Sequence, residues 1–199
     1  MHIEVRVPGS CGELVQGVIA GRPFLVTCPV NLYTTAYVTD GPPPGGPLGP
    51  KAQQALLRTL SFFDAADFPY AVSLRSELPS GKGMASSSAD IAAVCFAVAA
   101  ALGRRLTVGQ AAQLAAGIEP TDGVFFPGIV QMNHMTGECL ASFGEPPPLQ
   151  LLIFDTGGLV DTLQFHQRED LIELARKNEA QVRQAMHLLT CPLQAEAVS

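Results

Sequence analysis

The feature that most constrains the fold is an almost entirely apolar stretch at residues 86–102, which begins with serines and continues mainly in Ala, Val and Ile. Its longest apolar run, residues 91–102, is only about a dozen residues long, whereas a helix needs about 20 to cross a bilayer. A helix that is apolar on all sides is normally buried within a protein. The stretch therefore predicts a buried core helix and not a membrane span.

The elements predicted around this helix do not follow a regular alternation of strand and helix. Alternating apolar residues and β-branched residues predict strands, and apolar residues at helical spacing predict further helices. The predicted strands are residues 2–7, 25–28, 32–39, 70–76, 129–133, 139–143 and 149–154, and the other predicted helices are residues 51–63, 107–118 and 167–189. This order favours an α+β fold, with helices on one face of a mixed or antiparallel sheet, over a doubly wound fold.

Glycine and proline mark the irregular segments. The first strand is expected to end at Pro8-Gly9, where a glycine-rich segment begins, and residues 41–50 are expected to form an exposed loop. Thr107 is a predicted helix N-cap, with Gln110 in the capping-box position. Local sequence therefore predicts where several elements begin and end.

Composition disfavours some classes of partner. Of the 199 residues, 47% are apolar and 15% are charged, which is typical of a globular chain, and the formal net charge is −6. An acidic chain without a basic run binds nucleic acids and anionic membranes poorly, so we expect a small-molecule substrate instead. Five scattered cysteines without a close pair, and a start that does not resemble a signal peptide, predict reduced thiols in a cytoplasmic protein.

The most informative segment is a glycine-serine loop that leads into the buried helix. Gly81 and Gly83 permit conformations that bring several N–H groups to one point, and the following helix adds its positive dipole end. Serines in the first helical turn can donate to phosphate oxygens or bind magnesium, and Lys82 adds a positive charge. This chemistry suits a nucleotide triphosphate, although a serine-capped helix after a glycine turn fits equally well. The predicted phosphate-binding residues are Pro79, Ser80, Gly81, Lys82, Gly83, Met84, Ala85, Ser86, Ser87 and Ser88.

Two other segments carry polar side chains next to glycine or proline. The segment at residues 7–17 contains Glu13 and Gln16, which can meet an amino or hydroxyl group of a substrate, although a plain glycine-rich turn also explains it. A second segment contains Glu119 and Asp122 in a Pro-Gly turn. A carboxylate held rigidly in such a turn can accept a proton from a hydroxyl group, and it can equally cap the turn.

The glycine-serine loop resembles the second conserved motif of the GHMP kinases, Pro-x-Gly-x-Gly-Leu-Gly-Ser-Ser-Ala-Ala. Residues 7–17 resemble the first motif, and the two stretches occur in the order that the family requires. The matches in the loop are Pro79, Gly81, Gly83, Ser86, Ser87 and Ala89, while Met84, Ala85 and Ser88 replace the Leu, the last Gly and the first Ala of the motif.

The resemblance implies a function and a set of roles. GHMP kinases phosphorylate the hydroxyl of a small metabolite with ATP and magnesium, so ATP and Mg²⁺ are the implied cofactors. In the family this loop wraps the ATP phosphates, and its second serine, here Ser87, contacts magnesium. Asp122 takes the position of the proton acceptor, and Glu119 is a further candidate magnesium ligand. Glu13 and Gln16 are the implied substrate-binding residues.

Four stretches together resemble a narrower branch, the bacterial L-threonine kinases of cobalamin synthesis, which make L-threonine O-3-phosphate. Another GHMP alcohol kinase, of homoserine or mevalonate type, and a catalytically silent nucleotide-binding module are the alternatives. An amino-acid substrate needs an anion for its ammonium group, for which Asp155 and Asp161 are weaker candidates, and a cation such as Arg22 or Arg75 for its carboxylate. The four stretches are residues 8–17, 82–90, 119–123 and 154–162.

The same resemblance implies a domain organisation. Residues 1–145 are expected to form the N-terminal ATP-binding domain, and residues 146–199 the start of a C-terminal domain. GHMP kinases usually carry a third glycine-rich motif late in the chain, which this sequence lacks, so the C-terminal domain is expected to be largely absent. An apolar face left uncovered would favour association with a second copy, so a homodimer is a further alternative.

Overall fold

A long antiparallel hairpin organises the sheet. The computed structural model describes residues 1–155, 157–158 and 170–190. Strand β1 (His2–Ile19) pairs with strand β2 (Arg22–Thr39) along most of its length. Ala20 and Gly21 form the turn between them, with positive φ angles of 51° and 74°. β-branched and aromatic residues recur in both strands, which suits extended backbone.

The hairpin corrects two expectations from the sequence. The predicted end of the first strand at Pro8-Gly9 is wrong, because β1 continues through the glycine-rich segment. The separate strands predicted at residues 25–28 and 32–39 are one continuous strand. The pairing register shifts at three places in β1, the first of them just after Pro8. Such β-bulges absorb residues that do not fit an ideal ladder, so proline and glycine bend this strand instead of ending it.

Three shorter strands complete the sheet within the described residues. Strand β3 (Ala71–Ser76) pairs with the C-terminal part of β2, strand β4 (Ile129–Asn133) pairs with its N-terminal part, and strand β5 (Glu138–Gly144) pairs with β4. All of these pairings are antiparallel. The strand predicted at residues 149–154 is wrong, since this segment has no strand structure and Phe154 is 81% exposed. An apolar run becomes a strand only beside a partner, and none of the described strands pairs with it.

The first three helices begin and end within two residues of their predicted bounds. The last helix ends one residue after its predicted end, and its predicted start at residue 167 lies outside the described residues. Most residues of the apolar helix are buried, as its sequence predicts. The predicted capping box of Thr107 and Gln110 is also confirmed. No helix in the described parts of the chain is both long and apolar enough to cross a membrane. The helices are α1 (Pro50–Phe62), α2 (Ser86–Ala101), α3 (Val108–Ala116) and α4 (Leu171–Thr190), with a 3₁₀ turn at Gly123–Phe125.

Two apolar clusters lie along the hairpin. The larger cluster packs α1, α2 and α3 against the part of the hairpin that contains Val7 and Val38. The smaller cluster contains Phe24 and Val26, near the turn of the hairpin, and residues of α4 such as Val182 pack against it. The described residues therefore form an α+β fold, as predicted. The start of α2, the bulged part of β1 and the 3₁₀ turn meet beside the larger cluster.

Candidate functional site

The glycine-serine loop has the backbone geometry of an anion cradle. Gly81, Gly83 and Ala85 have positive φ angles of 70°, 69° and 55°, so left-handed residues alternate along the loop. Such alternation turns successive N–H groups toward a common side. Helix α2 begins at Ser86, its N-cap is Ala85, and no side chain caps it. The interpretation as a serine-capped helix is therefore wrong, and the positive end of α2 lies directly behind the cradle.

The bulged part of β1 holds this loop in place. The N–H of Ser10 donates to the carbonyl oxygen of Met84 (3.2 Å), and the N–H of Gly12 donates to that of Gly83 (3.0 Å). Gly9 has no room for a side chain, because a β-carbon there would lie 2.6 Å from the Met84 carbonyl oxygen. The two glycine-rich stretches therefore meet, and β1 helps to set the shape of the cradle.

A chain of hydrogen bonds anchors the other end of the loop. The Ser76 hydroxyl accepts from the N–H of Leu78 (3.1 Å) and contacts the Thr34 hydroxyl (2.8 Å), which donates to the Asp90 carboxylate (2.9 Å). Burial raises the pKa of Asp90. Because Asp90 belongs to α2 and Ser76 ends β3, the loop is tied both to the strand before it and to the helix after it.

One carboxylate lies buried beside the first turn of α2. The Glu119 side chain is 2% exposed, and its two oxygens accept from the Ser87 hydroxyl and the Lys51 ammonium group. Lys51 is in the first turn of α1, and Glu119 follows the end of α3, so three helices contribute to this contact. A buried carboxylate stays charged only when it is paired, and Lys51 supplies the opposite charge.

The neighbouring serine holds a second carboxylate. Ser88 is 2% exposed, and its hydroxyl donates to the Asp122 carboxylate (2.8 Å). The same hydroxyl accepts from the Asp122 N–H (3.1 Å) and from the Thr121 hydroxyl (3.0 Å). One donated and two accepted bonds use the full capacity of a hydroxyl group. Asp122 is therefore fixed through both its backbone and its side chain.

Glu13 brings a further carboxyl group to Asp122. The Thr27 hydroxyl donates to Glu13 (2.8 Å) and accepts from the Gly123 N–H (2.8 Å), which joins both strands of the hairpin to the 3₁₀ turn. Burial, and after it the nearby charge of Asp122, raises the pKa of Glu13 from 4.5 to about 9. Two carboxyl groups in contact do not both ionise readily, so the pair retains one proton near neutral pH.

The donor atoms at Ser87 and Glu119 fit magnesium. They offer a hydroxyl and a carboxylate oxygen side by side, and Mg²⁺ usually takes one or two carboxylates together with substrate phosphates and water. Within the described ranges, no group of three His, Cys, Asp or Glu side chains could hold a metal ion. Ser87 and Glu119 therefore suit a cation that arrives with a nucleotide, and their metal role remains a prediction.

The side chains of the loop divide between core and surface. Met84 is 4% exposed and packs in the larger apolar cluster, so only its backbone can meet a phosphate. Pro79 and Ser80 are exposed, and Ser86 is half-buried in the first turn of α2. Phosphate binding here would depend on backbone amides more than on side chains, and it remains a prediction for this loop.

Lys82 and Gln16 make their contacts with other parts of the chain. The Lys82 ammonium donates to Asp155 (2.9 Å) and to the carbonyl oxygen of Gly158 (2.9 Å), in the segment that follows β5. The hydrogen bond from Lys82 holds the pKa of Asp155 below its ordinary value. Gln16 is exposed and its Cα pairs with that of Leu25. Neither residue touches Asp122 or Glu119 through these contacts.

The weaker candidates for binding an amino acid lie elsewhere. Arg22 is at the turn of the hairpin, where it pairs with Glu138 at 3.8 Å. Arg75 is exposed on β3. Asp161 lies outside the described residues. The structure therefore brings together Glu13, Asp122 and the start of α2, whereas the contacts of Arg22 lie at the turn of the hairpin and Arg75 is exposed on β3.

Sequence reasoning missed three residues of the site, which are Lys51, Thr27 and Thr121. Their partners in the site lie 68, 14 and 33 positions away in the chain, respectively. A local pattern does not reveal contacts over such separations. Thr27 alone gave a signal, because it is a polar residue in an otherwise apolar strand segment, where a buried hydroxyl requires a partner.

Comparison with known proteins adds three findings in sequence. Residues 51–126 match the profile of the GHMP kinases N terminal domain. The chain is 37% identical over 164 residues to an L-threonine kinase of Salmonella typhimurium, covering 81% of this chain and 55% of the relative. It is 36% identical to an L-threonine kinase of Citrobacter freundii, covering 81% of this chain and 57% of that protein. The chain thus spans little more than half the length of these curated relatives.

Solved structures share the fold at low sequence identity. The mevalonate kinase of Methanococcus jannaschii superposes with a TM-score of 0.66 and 13% identity, covering 94% of this chain and 73% of that one. The mevalonate pyrophosphate decarboxylase of Streptococcus pyogenes superposes with a TM-score of 0.65 and 13% identity, covering 96% and 67%. At this level of identity, the likeness concerns the fold alone.

Proposed function

The chain contains a GHMP kinase N-terminal domain, and from that premise we propose that it transfers the γ-phosphoryl group of ATP to the side-chain hydroxyl of L-threonine. The two L-threonine kinases that align with 81% of the chain support this substrate. The product is L-threonine O-3-phosphate, which we assign to cobalamin synthesis because of the motif resemblance. We place the reaction in the cytoplasm because of the scattered cysteines without a close pair. ATP is the phosphoryl donor, and magnesium is the cofactor.

The observation that carries the proposal is that two consecutive serines bind two different carboxylates. Ser87 donates to Glu119, and Ser88 donates to Asp122, so both carboxylates lie at the first turn of α2. That turn directly follows the cradle of left-handed residues. A phosphate site, a candidate metal ligand and a candidate base are therefore adjacent, as phosphoryl transfer from ATP requires.

The cradle binds the triphosphate through its backbone. The N–H groups around Gly81, Gly83 and Ala85 and the positive end of α2 contact the phosphate oxygens. Ser87 and Glu119 would hold the magnesium ion that accompanies ATP, and the ion would neutralise charge that develops during transfer. Because phosphoryl transfer needs little covalent help, this positioning supplies most of the rate enhancement.

Asp122 accepts the proton of the threonine hydroxyl. The Ser88 hydroxyl fixes the Asp122 carboxylate and accepts from the Asp122 N–H, just before the 3₁₀ turn. The Thr121 hydroxyl in turn donates to Ser88. A base that is already oriented avoids the cost of reorganisation at the moment of reaction. Glu13 beside it retains a proton, which keeps the negative charge of the pair on Asp122.

Glu13 also supports an amino-acid substrate over mevalonate. A pair of carboxyl groups that shares one proton can release it and then hold an ammonium group, which mevalonate lacks. Gln16 lies three residues farther along β1 and is the second substrate-binding residue that we propose. In this proposal, residues 1–145 form the ATP-binding domain and residues 146–199 begin a C-terminal domain.

An ADP-release assay with four acceptors tests the proposal. The purified protein is incubated with Mg·ATP and L-threonine, L-serine, L-homoserine or mevalonate, and the product is identified by ³¹P NMR. We expect the highest kcat/KM for L-threonine, with a phosphomonoester signal on its side chain.

Two outcomes would contradict the proposal. Turnover confined to mevalonate or to L-homoserine would replace the substrate. Binding of ATP without ADP release for any acceptor would favour a silent nucleotide-binding module over a kinase.

A further inference from the structure

Lys51 is a charged residue of the site that has no role in the proposed reaction. It lies in the first turn of α1, directly after the loop at residues 41–49, outside all the stretches that resemble kinase motifs. Its side chain is 38% exposed, whereas that of its partner Glu119 is 2% exposed. The lysine therefore joins a buried carboxylate to the solvent side of the site.

The two donors to Glu119 differ in charge. The Ser87 hydroxyl donates to Oε1, and the Lys51 ammonium group donates to Oε2. A divalent cation on Ser87 and Glu119 needs the same carboxylate, because Mg²⁺ binds its oxygen ligands at about 2.1 Å. An ammonium group and a dication on one buried carboxylate repel each other strongly, since the surroundings screen charge poorly. The two cations therefore compete for Glu119.

We propose that Lys51 is a resident cation of the metal site, an inference that rests on the proposed binding of Mg·ATP. Without nucleotide, Lys51 neutralises Glu119 and keeps the contact between Glu119 and Ser87 assembled. On entry of the magnesium nucleotide, Lys51 leaves Glu119 and pairs with phosphate oxygens, which are the new anions of the site. Its flexible, partly exposed side chain permits this exchange without a change in the core.

A purely structural ion pair and a resident cation predict different effects of the Lys51→Met variant. If the pair is structural, its loss disorders Glu119 and weakens metal binding and nucleotide binding together. If Lys51 is a resident cation, its loss frees Glu119 for a metal ion and removes one contact to phosphate. Metal affinity then rises while nucleotide affinity falls, and these opposite signs distinguish the two roles.

Titration with Mn²⁺, followed by EPR spectroscopy, measures metal affinity without turnover. We expect Lys51→Met to bind Mn²⁺ roughly tenfold more tightly than the unmodified protein, because a competing positive charge is gone. The metal-free variant should melt at a lower temperature, since Glu119 has lost its counter-charge, and Mn²⁺ should restore the melting temperature. Equal or weaker Mn²⁺ affinity in Lys51→Met overturns the proposal, as does the absence of Mn²⁺ binding to both proteins with nucleotide present.

The affinity for a nonhydrolysable ATP analogue tests the expected fall in nucleotide affinity. Calorimetry with the magnesium complex of AMP-PNP should give a Kd roughly tenfold higher for Lys51→Met than for the unmodified protein, because a charge-assisted phosphate contact is lost. An unchanged or lower Kd contradicts the exchange of Lys51 from Glu119 to phosphate.

Two control variants locate the effect. Lys177→Met removes the same charge from an exposed position on α4 and should leave the Mn²⁺ affinity, the nucleotide affinity and the melting temperature unchanged. Glu119→Gln should lower the Mn²⁺ affinity with or without Lys51→Met, and an unchanged affinity overturns the proposal. None of these measurements requires phosphorylation of threonine, so a failure of the proposed substrate and a failure of the Lys51 proposal are distinguishable.

Discussion

Two carboxylate centres lie side by side at the start of α2, and they differ in the groups that compensate their charge. Glu119 is paired with a cation, Lys51, and accepts from the Ser87 hydroxyl. Asp122 accepts from the Ser88 hydroxyl and faces a second carboxyl group, that of Glu13. The Glu119 centre thus contains the ammonium group of Lys51, and the Asp122 centre contains a proton shared with Glu13.

The comparison teaches that neighbours, and not residue type, separate the two kinds of chemistry. A carboxylate beside a cation stays ionised and can exchange that cation for another one. A carboxyl group beside another carboxyl group retains a proton and can exchange it with a substrate. Consecutive helical residues such as Ser87 and Ser88 point about 100° apart, so one turn of α2 can hold both centres without merging them.

The Asp122→Asn variant removes the proton acceptor that we propose, leaves Glu119 and Lys51 in place, and should have the largest effect. We expect kcat to fall by about 10²- to 10⁴-fold, because the amide cannot accept the proton. Its oxygen can still accept from Ser88, so the fold and the Mn²⁺ affinity at Glu119 should be retained. Steady-state kinetics measure the loss of kcat, and Mn²⁺ EPR measures the metal affinity at Glu119. Full turnover in the variant would falsify the assignment of the base.

The dependence of stability on pH tests the shared proton. Because the pKa of Glu13 is raised from 4.5 to about 9, the native state keeps a proton that the unfolded chain releases. The stability from this proton is complete below pH 4.5 and declines as the pH rises toward about 9. The slope for one proton is at most about 1.4 kcal/mol per pH unit, and solvent at this half-buried group narrows the pH range over which the decline extends.

Urea denaturation of the Glu13→Gln variant between pH 5 and pH 9 measures this decline. We expect the variant to lose most of the decline, because glutamine does not titrate. The control is Glu4→Gln, which changes an exposed glutamate of the same strand and should keep the pH dependence. An identical pH dependence in Glu13→Gln and in the unmodified protein would show that the carboxyl pair does not share a proton.

Ser88→Ala sharpens the comparison through stability. Asp122 would lose partners at its side chain and at its backbone N–H, so we expect the free energy of unfolding to fall by about 1–3 kcal/mol. Ser87→Ala should cost less, since Glu119 keeps Lys51. Chemical denaturation of both variants shows which one loses more free energy of unfolding. A greater loss for Ser87→Ala would show that Ser87, and not Ser88, contributes more to stability.

The smallest effect is expected for Ala85→Gly, which changes the N-cap residue of α2 just before the two serines. Ala85 has a φ angle of 55°, a conformation that costs alanine about 1–2 kcal/mol and glycine much less. The greater backbone entropy of glycine in the unfolded chain offsets about 0.5–1 kcal/mol of the stability gained by relieving this strain. Thermal denaturation should therefore show a gain of up to about 1 kcal/mol, whereas Ala100→Gly, at an exposed position of α2, should show a loss.

Much of the fold follows from local sequence, and the wrong predictions have one cause. The apolar helix α2, the capping box at Thr107 and the strands β4 and β5 were predicted correctly because short-range patterns specify them. The break at Pro8-Gly9 and the strand at residues 149–154 were wrong. In both cases the outcome depends on a partner strand, which is available to bulged β1 and is not offered by any described strand to residues 149–154.

The site shows the same limit at the level of side chains. The sequence pointed to the loop and to Glu13, Glu119 and Asp122 as candidates, and the structure places all of them around the start of α2. It gave no signal for Lys51, whose partner is 68 positions away. The pairing of each carboxylate with its own serine was equally unpredictable, because adjacent serines look alike in a sequence.

Local sequence is sufficient for the features that short-range sterics control, such as glycines where φ is positive and the start of an apolar helix, and it supplies three candidate carboxyl groups. Tertiary packing, by contrast, sets which carboxyl group lies beside a cation and which lies beside another carboxyl group. The physical reason is that electrostatic coupling depends on distance through space and on burial, and both are set by how β1, α1 and α2 pack together.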